Sequence, residues 1–221
     1  ISRDVLSFRR SGFLLWFLLA VVLPLSLLVS LNLTGILSVE YTNYGLSGDL
    51  LLSGLLVSAA TALASGVLEE IVFRGYMVKV MMRKYSYWTS GLITALLFTL
   101  IHLNSVSSLF NAVQLLVAGM SVSIMFLAIY KRTGSIWNAA IVHVIWNFVI
   151  LNRLLSYENT VDTAGKLLTF KVEGHPLFTG GGFGIEVSLH AVLLYLVLSF
   201  VLISRDKRKT QNKNTGNQNA L

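Results

Sequence analysis

Ionisable side chains interrupt the apolar stretch between residues 50 and 82. They form the pattern Glu69-Glu70-x-x-x-Arg74. On a helix, Glu70 and Arg74 lie four residues apart on one face and can pair. Glu69 points about 100° away around the same helix and is free for another task. Ionisable groups inside a membrane usually face a cavity or a partner, so this pattern is a candidate site.

Two further apolar stretches carry histidine. His102 ends one of them, four residues after Phe98, and His143 lies in another, four residues before Asn147. The second spacing places imidazole and amide on one helix face, one turn apart. A carboxylate, two imidazoles and an amide around one hydrated cavity can polarise a water molecule and hydrolyse an amide bond.

Each group also has a structural explanation when taken alone. Glu69 and Glu70 could lie at the cytoplasmic interface, neutralised by nearby basic residues. His102 could be a packing residue, and His143 with Asn147 could make hydrogen bonds between helices. The chain has no His-Glu-x-x-His, Gly-x-Ser-x-Gly or P-loop motif and no cysteine. Thiolate chemistry and disulfides are therefore excluded.

The elements that must position these residues are membrane helices. The chain of 221 residues is 55% hydrophobic and only 12% charged, about half the charge of a soluble domain. The composition predicts an all-α, polytopic transmembrane bundle of about six spans. Small residues between Ser53 and Gly66 predict close approach of helix backbones. The predicted spans are Gly12–Leu31, Leu50–Met82, Trp88–Leu103, Ala112–Tyr130, Ser135–Leu151 and Val187–Ile203.

The distribution of lysine and arginine predicts the orientation. With both termini in the cytoplasm, thirteen of the seventeen basic residues fall on the inside, the bias typical of cytoplasmic loops beside anionic lipid. The net charge of +7 is thus attributed to membrane lipid rather than to nucleic acid. On this topology, Glu69, His102 and His143 are expected to meet in the inner half of the bilayer.

Residues 1–203 are predicted to form one membrane-embedded domain with a catalytic core at 50–151. The basic segment 204–221 is predicted to be a disordered cytoplasmic tail. The outer connection Ser156–Glu186 contains Gly180-Gly181-Gly182. It is interpreted as an exposed loop, with a lid or re-entrant element over the site as the alternative.

The three motifs together resemble the CPBP (Abi) family, which includes type II CAAX prenyl endopeptidases and bacteriocin-processing or self-immunity membrane proteins. The resemblance covers about Leu50 to Leu151, and all three motifs are complete and in family order. It implies an intramembrane endopeptidase. The chain has fewer candidate spans than the larger eukaryotic CAAX proteases, so the same substrate groove is not implied.

The resemblance also implies roles for the residues. Glu69 would be the general base that activates water, assisted by His102, and Glu70 with Arg74 would orient the site. His143 and Asn147 would stabilise the oxyanion. In a metal-dependent alternative, a divalent ion such as Zn²⁺ would be held by Glu70, His102, His143 and Asn147.

Two other functions stay open at this point. One is a non-catalytic bacteriocin self-immunity or cell-envelope scaffold protein, suggested by the immunity-associated relatives. The other is a proton-coupled transporter, for which paired broken helices and repeat symmetry would be expected. The leading hypothesis is a multi-pass enzyme of a bacterial plasma membrane, acting on a small peptide or membrane-protein substrate of CAAX or bacteriocin/pheromone type.

Overall fold

The computed structural model of the protein describes residues 13–105, 108–158 and 165–218, with the side chains of the last helix described only to Arg205. In the part of the chain that the structure describes, each of the six predicted spans contains a helix. The α-helices are α1 (Phe13–Leu33), α2 (Gly48–Glu69), α3 (Val78–Met81), α4 (Tyr87–Leu100), α5 (Leu109–Thr133), α6 (Ile136–Ile150), α7 (Pro176–Thr179) and α8 (Leu189–Gln218). A π-helical segment, Glu70–Met77, joins α2 to α3, and single 3₁₀ turns occupy Leu103–Ser105 and Ile185–Val187.

The helix exteriors are apolar, as expected of surfaces that face lipid. Leu14, Leu56 and Phe200, on three different helices, are each more than half exposed. In the described part of the chain, three helices are long and apolar enough to cross a membrane: Phe13–Leu33, Gly48–Met81 and Leu109–Thr133. Shorter apolar helices cover Tyr87–Leu100, Ile136–Ile150 and Leu189–Arg205. The protein therefore has the helices of an integral membrane protein.

A three-stranded sheet departs from the expected all-α fold. It consists of β1 (Leu37–Thr42), β2 (Leu155–Glu158) and β3 (Leu168–Val172), in the order β1-β3-β2. β1 pairs antiparallel and β2 parallel with β3. Val, Thr, Tyr and Phe favour these strands, but β1 and β3 are over a hundred residues apart. Interpreting Ser156–Glu186 as an exposed loop was therefore wrong where it forms β2, β3 and α7.

The sheet defines one end of the helix bundle, called here the sheet end. α1 and α6 finish there, and α2, α5 and α8 begin there. The other end, called here the basic end, carries the positively charged residues at the opposite termini of the helices. These described basic residues are Lys79, Arg83, Lys84, Lys131, Arg132 and Arg205.

The last helix differs from the prediction of a disordered tail from residue 204. The backbone of α8 continues helically to Gln218. Lysine, arginine and glutamine are good helix formers, and no proline interrupts the segment. Polarity was therefore a poor guide to where this helix ends.

Candidate active site

Close packing of α2 against α6 brings the first and third motifs together. A Cβ atom on Gly66 would lie 2.8 Å from Val144 Cγ2 and 2.9 Å from the Val144 backbone nitrogen, so only glycine fits there. This contact confirms the expectation that the small residues of α2 allow close backbone approach. It lies about one turn from Glu69 and Glu70 and beside His143 on α6, and so fixes the separation of the glutamates from the imidazole.

Glu70 and Arg74 form the predicted pair. Arg74 donates from Nη1 to Glu70 Oε1 over 2.9 Å. The Arg74 side chain is 2% exposed and the Glu70 side chain is 0% exposed. The arginine guanidinium lies 5.1 Å from the ring centroids of both Phe98 and Phe126. An unpaired buried charge would cost several kcal/mol. The pair and the rings are thus the supporting layer of the site.

His143 lies at the middle of α6 and is held from three directions. Its Nδ1 lies 3.1 Å from Glu70 Oε1, and its ring stacks on Phe126 with centroids 4.8 Å apart. Since a carboxylate only accepts hydrogen bonds, Nδ1 is the protonated nitrogen and donates to Glu70. Nε2 points to the other glutamate, 3.6 Å from Glu69 Oε2. Arg74, Glu70 and His143 therefore form a chain that orients the imidazole.

The wide π turn explains why two adjacent glutamates both approach His143. In a π-helix each N–H bonds five residues back, and such turns occur frequently at functional sites. The segment begins at Glu70, directly after Glu69 ends the regular α2. Glu70 is fully buried, whereas the Glu69 side chain is 25% exposed. The two glutamates therefore differ in environment, and the separate task expected of Glu69 stays a prediction.

Asn147 and His102 complete the set. Asn147 Nδ2 donates to Ser65 Oγ over 2.9 Å, so one amide hydrogen is used and the other is left. His102 follows the end of α4, where its Nδ1 donates to the Phe98 carbonyl over 2.8 Å. Because that carbonyl can only accept, the lone pair of His102 is on Nε2.

One cavity of about 260 Å³, called here the site cavity, connects these residues. Glu69, His102, His143 and Asn147 all line it, whereas Glu70 and Arg74 lie behind its wall. The cavity extends from the Glu69–His143 contact towards the sheet end, where Thr61 and Leu151 also line it. Large buried residues lie on the side of the basic end: Phe73, Val78, Tyr130 and Ile136. The expectation that Glu69, His102 and His143 meet in the inner half of the bilayer stays a prediction.

Sequence reasoning missed several residues of this site. Ser65 was noted only as a small residue, although its spacing of four from Glu69 placed it on the same helix face. Phe183 and Glu186 also line the cavity, and nothing local to their sequence signalled it. They are placed there by buried Gln114, which donates from Nε2 to the carbonyls of Pro176, Leu177 and Val187 over 3.0, 3.2 and 3.1 Å.

The predicted metal ligands do not come together as a set. Among the residues that the structure describes, no three histidine, cysteine or acidic side chains are placed to hold a metal ion. Glu70 Oε1 is already bonded to Arg74 and His143, and a cation there would compete with the arginine. The arrangement does not fit a site made of Glu70, His102, His143 and Asn147, and the chemistry below uses protein groups alone.

Comparison with known proteins gives one match. Residues 51–149 match the family model described as type II CAAX prenyl endopeptidase Rce1-like, a protease family. No curated protein and no solved structure matches the chain. The matched range agrees with the range of the resemblance and contains all six predicted site residues. The part of the chain that carries the site is therefore similar to the Rce1-like, type II CAAX prenyl endopeptidase family, which agrees with the resemblance of its three motifs.

Proposed function

We propose that the protein is an intramembrane endopeptidase in which Glu69 activates the hydrolytic water. The observation that carries the proposal is the shared site cavity, where one accessible carboxylate faces an imidazole oriented from behind by a buried ion pair. The family match supports a CAAX-type intramembrane protease. General base catalysis by a positioned carboxylate is worth about 10²- to 10⁴-fold in rate.

The reaction would run as a simple hydrolysis. Glu69 removes a proton from water, and the hydroxide adds to the scissile carbonyl carbon. The resulting oxyanion accepts hydrogen bonds from the free amide hydrogen of Asn147 and, when protonated, from His143 Nε2. The carbon–nitrogen bond then breaks, and the proton on Glu69 passes to the leaving amine, with His102 Nε2 as the assisting base. Water is consumed, and one acid and one amine are released.

Glu70 and Arg74 would act without touching the substrate. The hydrogen bond from His143 Nδ1 to Glu70 fixes the tautomer that turns Nε2 towards the cavity. Arg74 neutralises Glu70 and holds its carboxylate in place. Both are positioning residues in this proposal.

The cellular setting extends the same proposal. Six spans, both termini in the cytoplasm and a bacterial plasma membrane would agree with the lysine and arginine distribution. Residues 1–203 would form one domain, with 50–151 as its catalytic core. The substrate would be a membrane-associated peptide or protein segment, and lipid would surround the enzyme.

Cleavage by membrane preparations tests the proposal. Glu69→Gln keeps the size of the side chain but cannot accept a proton from water, so cleavage of candidate peptides should fall at least about 100-fold. Glu173→Gln, a change at an exposed carboxylate of the sheet end, is the matched control and should cleave normally. Undiminished cleavage by Glu69→Gln would defeat the assigned role.

The same preparations address the non-catalytic alternative. A scaffold or immunity protein needs its surface rather than its cavity. Full biological protection by a triple variant of Glu69, His102 and His143 to alanine would favour that alternative over the peptidase.

A further inference from the structure

The site cavity is closed towards the basic end of the bundle. The Glu70–Arg74 pair forms its floor, and both side chains are almost inaccessible. Beneath the pair, Val78 and Ile136 are completely buried, and Tyr87 donates from its hydroxyl to the Leu127 carbonyl over 2.7 Å. A separate cavity of about 430 Å³ lies at this end, lined by Lys79 and Tyr130 among others, and it shares no lining residue with the site cavity. In the part of the chain that the structure describes, the site cavity therefore does not continue to the basic end.

The same cavity continues towards the sheet end. Asn147 and Leu151 line it on successive turns of α6, and Ser65 and Thr61 do so on α2. A second cavity of about 490 Å³, called here the sheet-end cavity, lies between the β2 strand and the Gly180–Gly184 turn. The two cavities share three lining residues: Leu151, Phe183 and Glu186.

The glycine-rich turn places these shared residues. Gly180 and Gly184 have φ of 87° and 127°, conformations that side chains rarely adopt. A Cβ on Gly180 would also collide with the Gly184 carbonyl. This fold directs the following 3₁₀ turn back over α5 and places Glu186 between the two cavities.

The charge of the two ends identifies which side of a membrane each would face. The basic end carries the lysine and arginine clusters that mark a cytoplasmic surface. The sheet end has fewer, because among the described residues its connections contain three basic residues, Arg153, Lys166 and Lys171, against six at the basic end. Five described acidic residues also lie at the sheet end: Glu40, Asp49, Glu158, Glu173 and Glu186.

Glu186 is the acidic residue of this end that lines the passage. Its side chain is half-buried, and among the described residues no ion pair is formed by its carboxylate. Burial raises its pKa to about 7. A cation placed beside it would favour the ionised form and gain a charge-assisted contact.

From the closed floor, the shared passage and the charge balance, we infer that substrate reaches the site from the non-cytoplasmic side and that Glu186 receives a cationic group of the peptide there. This inference rests on the proposed endopeptidase function. It names the substrate class as exported or outward-facing peptides with a lysine, arginine or amino terminus near the scissile bond. Glu186 is then a specificity residue.

The absence of cysteine from the sequence makes the sidedness directly measurable. Single cysteines would be labelled with a charged, membrane-impermeant maleimide in intact protoplasts and in lysed ones. Glu173→Cys at the sheet end and Thr61→Cys in the cavity should react in intact protoplasts. Lys84→Cys at the basic end should react only after lysis. Leu63→Cys, exposed on α2 outside the cavity, is the lipid-facing control and should react poorly throughout.

The labelling result does not depend on catalysis. Reaction of Lys84→Cys in intact protoplasts, or of Thr61→Cys only after lysis, would overturn the inferred sidedness even if Glu69→Gln is inactive. A Thr61→Cys variant that never reacts would show that no hydrated passage exists, which also overturns it. Conversely, loss of the proposed hydrolysis leaves the labelling pattern readable.

Matched peptides test the role of Glu186. Peptides that differ only by Lys, Gln or Glu beside the scissile bond would be compared for cleavage and for protection of Thr61→Cys from the maleimide. The protein should prefer the lysine peptide by about tenfold or more, as expected for a charged contact. Glu186→Gln should abolish the preference, Glu186→Lys should shift it to the glutamate peptide, and the control Glu173→Gln should retain it. An equal preference in Glu186→Gln would overturn the assignment.

Discussion

The adjacent residues Glu69 and Glu70 lie on the two sides of a boundary through the bundle. On the side of the basic end, Glu70 is fully buried and has a cation and an imidazole as partners. On the side of the sheet end, Glu69 is partly accessible and borders a cavity. The half beneath the boundary is packed and neutralised, and the half above it, called here the open half, contains the site cavity, whose lining is mostly apolar with a few polar groups. The difference indicates that one glutamate supports the site while the other is available to react.

The largest effect is expected from breaking the packed half. Arg74→Met leaves the Glu70 carboxylate buried without its cation, which should cost about 3–5 kcal/mol in the free energy of unfolding. Thermal unfolding in detergent would measure the loss. The double variant Glu70→Gln with Arg74→Met removes both charges and should recover much of that stability. A single variant as stable as the parent would contradict the supporting role of the pair.

A smaller effect is expected where the two halves meet. Gly66→Leu forces α2 away from Val144 and α6, and overpacking of this kind costs about 1–3 kcal/mol. Cleavage should fall at least about tenfold, because positioning errors near 1 Å reduce rates strongly. Gly48→Ala is the control, since nothing lies within 4 Å of its added Cβ. Normal cleavage by Gly66→Leu would show that this contact does not set the geometry.

In the open half, a substitution should reduce activity much more than it reduces stability. Asn147→Ala removes an amide that donates to Ser65 Oγ, and a hydrogen bond of this kind contributes about 0.5–1.5 kcal/mol to stability. The loss of an oxyanion donor should nevertheless lower kcat about 10²- to 10³-fold. Ser65→Ala, which removes the partner but keeps the amide, is the matched variant and should lose less. Equal losses in both variants would assign Asn147 a packing role.

The smallest effect is expected in the pH dependence of stability, through Glu186 at the entrance of the open half. The raised pKa of Glu186, about 7 against an ordinary 4.5, means that the folded protein binds its proton more tightly than the unfolded chain. The resulting stability is fully present below pH about 4.5 and is lost as the pH rises to about 7. The unfolding temperature should fall by about a few degrees across this window. Glu186→Gln should flatten that fall, whereas Glu173→Gln should keep it.

The sequence predicted the elements well and their long-range relations poorly. The six helices and the Glu70–Arg74 pair follow from local periodicity and a spacing of four. The sheet could not be predicted, because β1 and β3 meet only after five helices have packed. The direction in which the site cavity extends could not be predicted for the same reason, since it depends on which residues of separate helices fill the space beneath Arg74.

The sequence predicted which residues line the candidate site better than it predicted how they are arranged. Polar residues in apolar helices identified Glu69, His102, His143 and Asn147, because such residues are costly unless they serve a purpose. The approach of both glutamates to a single imidazole depends on the π turn, and no residue type in the segment predicts that turn. No local sequence pattern identified Glu186 as a residue of the cavity.

The π-helical segment has a consequence for how this chain tolerates changes in length. A π turn accommodates one residue more than a regular α turn. Deleting a single residue between Glu70 and Arg74 would therefore let the segment return to a regular α turn, so the helix that follows would keep its direction. Glu70 and Arg74, then three residues apart, would still lie on one face. The approach of both Glu69 and Glu70 to His143, which depends on the wide turn, is what such a deletion would remove.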